Sequence, residues 1–465
     1  MSAVDKLAAL AQMGRGGAVS VLLVVTIVVI PLVFVFRSRS KQPPHVPERL
    51  PRVTNAFLFL TRYSELLRRA KLAFGAGNIV RFHVGAKTVY LVRGQRHIAR
   101  LLRHDPRLGS EGFVLLVFKG MVRMTQADLD KFIHDKSGRL RTPNPGTEGS
   151  TEQRYWADQH ALYADFLTPA RHSYALARQY LMALRERLDA VVLPSESKTV
   201  QLLALMRSVV SESSLVAVFG PRMLELTPDI VQRYWAFDGR VNPLLYGAPR
   251  WLFRSAYEAQ ERFYEGVERW LDDADAHLGT MDDDVEWEPT MGSKLSREVR
   301  GWLKRACFSK QATVGLLGSL VFALQSNTVP IATWVLVHLL QRRDIYEAAR
   351  KEARQALTAD GGIDCQKLVA MPLLQALFVE TLRLHVIFPL LREATEDVEF
   401  EGYRIPKGSY VQGAGGIEHF EEATWTKDGH GPLEFWPERH LIEGENGEAV
   451  FSMAGKTAKF FPFGE

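Results

Sequence analysis

Three stretches of the 465-residue sequence hold side chains whose types and spacing could do chemistry. The first is Glu380-Thr381-Leu382-Arg383. A carboxylate and a guanidinium three residues apart share one helix face and can pair. Exposed pairs of this kind contribute little. Here Leu373, Leu374, Leu377, Phe378, Leu382 and Leu384 surround the pair, which predicts a largely buried helix. A buried pair needs a further partner for its remaining donors and acceptors. Arg439, in Phe435-Trp436-Pro437-Glu438-Arg439, offers one.

The second stretch is the apolar helix pattern 311–340, interrupted by Ser326-Asn327-Thr328 and then Pro330. A helix apolar on nearly every face is expected to run through a core or along an apolar pocket. Pro330 has no N–H, so the Ser326 carbonyl loses its usual helical partner and the helix kinks or opens there. Polar side chains beside that carbonyl would form a small wet notch. The plain alternative is a kink with satisfied hydroxyls. The third stretch is Phe460-Phe461-Pro462-Phe463-Gly464-Glu465, which reads as the opening of a loop.

Taken together, ETLRLH, then FWPERHL, then FFPFGE resemble the cytochrome P-450 family of haem-thiolate monooxygenases. The resemblance implies a mainly α (α+β) fold with small β regions, and a haem cofactor. It makes Glu380, Arg383 and Arg439 a three-residue lock supporting the haem-binding core. It makes Thr328 the threonine of the dioxygen notch, with Asn327 where many members carry an acid. An amide cannot shuttle a proton as a carboxylate does, and water held by Ser326, Asn327 and Thr328 is the implied substitute. The NTxP form resembles the branch of sterol 7α-hydroxylases, prostacyclin synthase and many fungal biosynthetic members. That branch contains both monooxygenases and an isomerase. Arg392 is implied as the contact to one haem propionate, because a guanidinium suits a carboxylate bidentately. Trp156 and His160, on a helix expected over 152–166, are implied as the contact to the other, although His stands where the family has Arg. Trp156 as plain core and His160 as a surface residue is the competing reading. Phe463 and Gly464 are implied in the haem-ligand loop, and the axial cysteine is expected beyond Glu465. On that pattern no metal ligand lies within the sequence, and the polypeptide as written would not form thiolate-ligated haem. An inactive truncated form is therefore one alternative, and an isomerase or dehydratase of the same fold another. The implied partners are an NADPH-cytochrome P-450 reductase, a lipophilic small molecule and membrane lipid.

These segments need elements to hold them. Residues 17–36 form a charge-free run long enough to cross a bilayer as a helix. Arg37, Arg39 and Lys41 follow it, which predicts that the C-terminal side stays cytosolic. The expected organisation is a tail (1–16), an anchor (17–36), a Pro-rich basic hinge (37–55) and a catalytic domain (56–465), sited in the endoplasmic reticulum membrane. An amphipathic helix is expected over 56–74 and a hairpin over 79–92 turning near Gly85-Ala86. Residues 95–150 read as broken, 151–357 as almost all helix, 372–386 as helix, and 396–400 and 403–405 as short strands. Gly413-Ala414-Gly415-Gly416 reads as a tight turn, and His83, His338 and His385 as packing or surface residues.

Composition excludes several classes. A net charge of +5 with dispersed basic residues gives no basic stripe for nucleic acid. Two cysteines, Cys307 and Cys365, provide no disulfide framework or zinc spacing. No HExxH, GxSxG or GxxxxGK[ST] occurs.

Overall fold

The computed structural model describes residues 42–462 apart from 104, 106, 150–152, 192–198, 278–283, 360–361 and 388–389. The expected anchor at 17–36 and its basic flank at 37–41 lie outside the described residues. Phe463, Gly464 and Glu465 lie outside them too.

The principal elements run in three blocks. The first mixes helix and strand: α1 (Thr54–Thr61), α2 (Tyr63–Phe74), β1 (Ile79–Val84), β2 (Lys87–Val92), α3 (Gln95–Leu102) and β3 (Leu108–Gly109). The second begins with α4 (Glu111–Gly120), α5 (Gln126–His134), α6 (Tyr155–Leu167), α7 (Ala170–Val191), α8 (Leu202–Phe219), α9 (Ile230–Asp238) and α10 (Arg254–Ala276). It continues through α11 (Lys294–Arg305), α12 (Lys310–Gln325), α13 (Thr328–Gln341), α14 (Arg343–Arg354) and α15 (Pro372–His385). The third returns to strand: β4 (Leu390–Ala394), β5 (Val398–Phe400), β6 (Tyr403–Ile405) and β7 (Tyr410–Gly413).

The helical block builds the main core. Phe219, Tyr234, Phe237, Phe263, Trp270 and Leu317 are among its buried side chains. Aromatic rings pack edge-to-face or stacked, as Phe219 on Trp270 at 5.3 Å and Phe237 on Phe263 at 5.4 Å. Fully burying one such side chain contributes roughly 1.5–3 kcal/mol.

The sheet closes the chain on itself, in the order β1-β2-β7-β4-β3. β2 and β7 are parallel, pairing Val89 with Tyr410 and Val92 with Gly413. β4 runs antiparallel to both β7 and β3, with Arg392 opposite Val411 and Leu108 opposite Ala394. The β1–β2 hairpin turns at Gly85, whose φ of +58° lies where L side chains are strained.

Three expectations need correction. The helix over 56–74 is two helices, broken at Arg62 (φ −144°, ψ 58°). The broken region 95–150 contains α3, α4 and α5, of which α5 carries a full capping box between Thr125 and Asp128. The glycine run 413–416 is the end of β7 followed by a short helix, Gly415–Glu418, in place of a tight turn. Within the expected hinge, Pro44–Val46 dock on β1: Val46 N donates to the Arg81 carbonyl at 2.8 Å and Arg81 N to the Pro44 carbonyl at 2.9 Å. Val46 is fully buried there, and Asn55 Nδ2 donates to its carbonyl at 2.9 Å.

Candidate functional site

The lock residues come together. Glu380 and Arg383 lie on one face of α15, which starts with Pro372 in its first turn, a position where the missing N–H is not needed. Arg383 clasps Glu380 bidentately, with Nη2 to Oε1 at 2.8 Å and Nε to Oε2 at 2.9 Å. Arg439 Nε donates to Oε1 at 2.8 Å, and the Trp436 N–H donates to the same oxygen at 3.2 Å. All three charged side chains have zero exposure. The remaining guanidinium donors are spent on backbone. Arg383 Nη1 reaches the carbonyls of His419 (2.7 Å) and Pro432 (2.6 Å). Arg439 reaches those of Trp425, Gly431 and Glu434. One buried carboxylate thus holds two arginines, and the arginines pin the segment between 419 and 434, which includes the short helix Glu422–Trp425.

A fourth member was not foreseen. His440 Nε2 donates to Glu380 Oε2 at 2.9 Å, fully buried. Burial raises the Glu380 pKa, but the hydrogen bonds from Arg383 and His440, with the fields of Arg383 and Arg439, outweigh it and hold it at about 2. Burial keeps His440 below the usual histidine range, so it serves as a neutral donor. Its only signal in the sequence is adjacency to Arg439, inside the 3-10 turn Pro437–His440.

The opening of the last loop is anchored beside this assembly. Phe461 is 4% exposed and packs with Leu101, Ile405 and Val411. Its N–H donates to His419 Nε2 at 3.3 Å, and Lys459 pairs with Glu418 (2.8 Å) and Glu421 (2.6 Å).

The long helix is interrupted as expected. α12 ends at Gln325 and α13 begins at Thr328, so Ser326 and Asn327 form the break. Pro330 explains its position, since the proline ring conflicts with the carbonyl four residues back. Gln325 is buried and donates from Nε2 to the Ser211 carbonyl at 3.1 Å. Asn327 and Thr328 are exposed, whereas Ser326 is half-buried. α13 is less enclosed than a helix apolar on every face should be: Trp334 is 41% and Leu340 71% exposed. The start of α12 is fixed by Asp128, which accepts from the hydroxyls of Ser309 and Thr125 at 2.6 Å each, while Ser309 caps the helix. Gly315 lets α12 press onto backbone, because a Cβ there would sit 1.8 Å from the Val122 carbonyl oxygen.

Arg392, Trp156 and His160 line one cavity of about 540 Å³. Ser326, Asn327 and Thr328 are not among its lining residues. Arg392 is 7% exposed and is delivered by β4. Trp156 is 3% exposed, and its indole N–H is already taken by the Phe132 carbonyl at 2.9 Å. Its ring meets Phe132 edge-on at 4.9 Å, so Trp156 contributes packing to the cavity wall. His160 is exposed at the rim. Arg139 also lines the cavity, with its guanidinium 6.0 Å from the Trp156 ring and Nη1 donating to Ser110 Oγ at 2.8 Å. Sequence reading passed over it because it lies in an irregular loop. A porphyrin bearing two carboxylates would need cationic donors, and Arg392 and Arg139 are among the cationic side chains that line the cavity. Neither cysteine lines this cavity. Cys307 is exposed after α11, and Cys365 lines a different one with Tyr174 and Arg178.

His338 and His385, expected as packing or surface residues, are half-buried and bonded to each other, Nε2 to Nε2 at 2.8 Å. Trp334 stacks on His385 at 3.9 Å and Phe435 on His338 at 3.8 Å, tying α13, α15 and the coil before Arg439 together.

Residues 295–465 match the family model described as Cytochrome P-450. The cytochrome P-450 monooxygenase calL of Penicillium decumbens is 33% identical over 435 residues, covering 92% of this chain and 80% of that protein. The cytochrome P-450 monooxygenase fsoE of Humicola fuscoatra is 26% identical, covering 91% of this chain and 77% of its own length. The cytochrome P-450 monooxygenase efuG of Hormonema carpetanum is 23% identical, covering 91% and 79%. With the buried carboxylate–arginine lock, the broken helix and a 33%-identical relative matched over 92% of this chain, the chain belongs to the cytochrome P-450 family.

Proposed function

We propose that this protein is a haem-dependent monooxygenase of secondary metabolism, acting on a lipophilic, terpenoid or sterol-like small molecule. The observation that carries the reading is the zero-exposure Glu380–Arg383–Arg439 assembly, found in a chain whose relatives are named monooxygenases. When bound, haem would supply activation of dioxygen, with electrons from NADPH through a reductase, for insertion of one oxygen into a C–H bond. Arg392 and Arg139 would hold the cofactor's carboxylates, with His160 at the rim and Trp156 as the wall behind them. Phe463 and Gly464 would form part of the ligand loop that Phe461 anchors. Ser326, Asn327 and Thr328 would hold water at the helix break. The run 17–36 would anchor the protein in the endoplasmic reticulum membrane with its catalytic domain in the cytosol.

Asn327 favours one second reading, an isomerase or dehydratase that needs no external electrons, because an amide does not relay protons as a carboxylate does. Reconstitution of the full-length protein with haem and reductase separates the two. Oxygenated product that requires both NADPH and dioxygen supports the monooxygenase, and turnover without NADPH supports the isomerase. A reduced carbon-monoxide difference spectrum lacking the thiolate-type Soret peak would sink both.

A further inference from the structure

One face of the sheet carries a polar side chain where its neighbours are apolar. Val80 and Phe82 of β1 and Val89 and Leu91 of β2 are buried together on that face. Gln412 of β7 lies in register with Leu91 and has no exposed surface. Its Nε2 donates to the Tyr63 hydroxyl, and its Oε1 has no hydrogen-bond partner. Tyr63 is the first residue of α2, so the break at Arg62 sets its position. Among the described residues, neither side chain is hydrogen-bonded except to the other. The phenol is not sealed in. Phe59 meets the Tyr63 ring edge-on at 5.8 Å and the Tyr246 ring at 4.9 Å, and Phe113 of α4 lies 6.3 Å from Tyr246. Tyr63, Tyr246 and Phe113 are each half-buried, so this aromatic row keeps contact with solvent. The arrangement is an aromatic mouth with an incompletely bonded amide beneath it.

A buried oxygen without a donor is destabilising, and an aliphatic side chain would suit that row better. The Gln412–Tyr63 pair specifies what would complete it. With the amide as it stands, the free groups are the Oε1 acceptor and the phenol O–H donor. With the amide turned over, they are the Nε2 donors and the phenol oxygen. Either way a donor and an acceptor are free on neighbouring groups, and a hydroxyl, which both donates and accepts, matches them. A carboxylate does not. Lys87 on this sheet is already paired with Glu393 at 3.0 Å, and Glu393 stands opposite Tyr410, two residues from Gln412, with its negative charge. We propose that Gln412 and Tyr63 bind the hydroxyl group of a lipophilic alcohol whose apolar body lies against Tyr246 and Phe113. That this alcohol is the substrate rests on the monooxygenase reading above, whereas its binding does not. The unmet oxygen lowers the stability of the empty protein, and the ligand's hydroxyl recovers that loss as affinity.

The test uses the full-length protein and two probe sets, farnesol and cholesterol, each with its methyl ether and its parent hydrocarbon. Binding is read from quenching of the intrinsic tyrosine and tryptophan fluorescence. The parent should bind at least one alcohol on the order of tenfold more tightly than its ether and its hydrocarbon. In Gln412→Leu and Tyr63→Phe that preference should fall to about twofold or less, while hydrocarbon affinity stays within about twofold of the parent's. The ligand-free Gln412→Leu protein should melt at or above the parent's Tm, because leucine suits the apolar row and the half-buried Tyr63 hydroxyl can turn to water. Equal affinity of the parent for alcohol, ether and hydrocarbon in both sets would overturn the proposal, as would an alcohol preference retained in both variants. If Gln412→Leu melts lower, Tyr63→Phe decides: a retained preference overturns the proposal and a lost one upholds it. An alcohol preference without NADPH-dependent oxygenation of that alcohol, in haem-loaded protein with reductase, counts against the monooxygenase reading alone and upholds the hydroxyl site.

Discussion

Glu380 has no exposed surface and is still ionised, because Arg383, Arg439, His440 and the Trp436 N–H surround its two oxygens. Such a carboxylate links folding to pH, and the sign is set by its depressed value. With a folded pKa of about 2 and an unfolded one of about 4.3, its contribution is complete above the unfolded value. It is lost as pH falls through about 2. His385 and His419 act earlier. Burial first, then the charge of His338 on one and of Arg383 on the other, hold each at about 4. Their unfolded counterparts protonate near ~6.5, so stability is expected to fall in two stages, from about pH 6.5 toward 4 and again below about 4.5. Urea unfolding at a series of pH values checks this, and constant stability between pH 7 and 5 would contradict the histidine stage. Glu380→Gln preserves the shape and removes the charge, leaving two buried arginines uncompensated. A loss of about 3–5 kcal/mol is expected in the same measurement. The Glu380–Arg383–Arg439 set was legible in sequence because an ion-pair spacing stood among leucines. His440 was not, because a histidine beside an arginine reads as surface until the 3-10 turn Pro437–His440 places both inside.

At the scale of elements, proline and glycine were legible and close packing was not. Pro330 foretold the break before α13, because it fixes φ and lacks an N–H, and Gly85 the hairpin turn, because glycine alone enters positive φ without strain. The interruption at Arg62 has no such local signal, and the residues on either side continue an apolar helical pattern. Gly315 is a comparable case: in sequence it is one small residue in an apolar helix, whereas in the fold it lets α12 touch the Val122 carbonyl. Gly315→Ala is therefore expected to cost at least ~1–3 kcal/mol, because the obstructing atom is backbone and one of the two segments must move. Gly301 in α11 provides the contrast. A Cβ there meets only the far end of the Arg305 side chain, at 3.0 Å. Gly301→Ala should be neutral or stabilising by up to about 1 kcal/mol through helix propensity. Thermal melts of the two variants alongside the parent decide the matter, and equal effects at both positions would show that the α12 contact is looser than it stands here.

For the molecule as a whole, the feature that matters is how distant segments meet at one cavity. Sequence periodicity suggested a strand region near residue 80 and another after 390, but it could not state that they form one sheet. That pairing is non-local, with β7 parallel to β2 and β4 placed between β7 and β3. The consequence is that Arg392, near the C-terminal end, faces the same cavity as Arg139, Trp156 and His160 from the helical block. A dicarboxylate cofactor held there would join the sheet to the helical body, and a ligand that binds only the folded chain stabilises it by mass action. At a free concentration 100 times its Kd that gain is about 2.7 kcal/mol. Haemin added to the haem-free protein is expected to raise its Tm. In Arg392→Ala the increment should shrink, because a charge-assisted bond to a carboxylate contributes roughly 1.5–3 kcal/mol, or about 10- to 150-fold in haem affinity. Release of haem to an excess of apomyoglobin gives the same comparison as a rate. The Tm of each haem-free variant, measured in parallel, separates loss of haem contact from loss of β4 itself, and Arg392→Lys should fall between parent and alanine because it preserves the charge without the fork. If parent and Arg392→Ala gain equally from haemin and release it at the same rate, the carboxylates are held elsewhere, and this cavity has a different role.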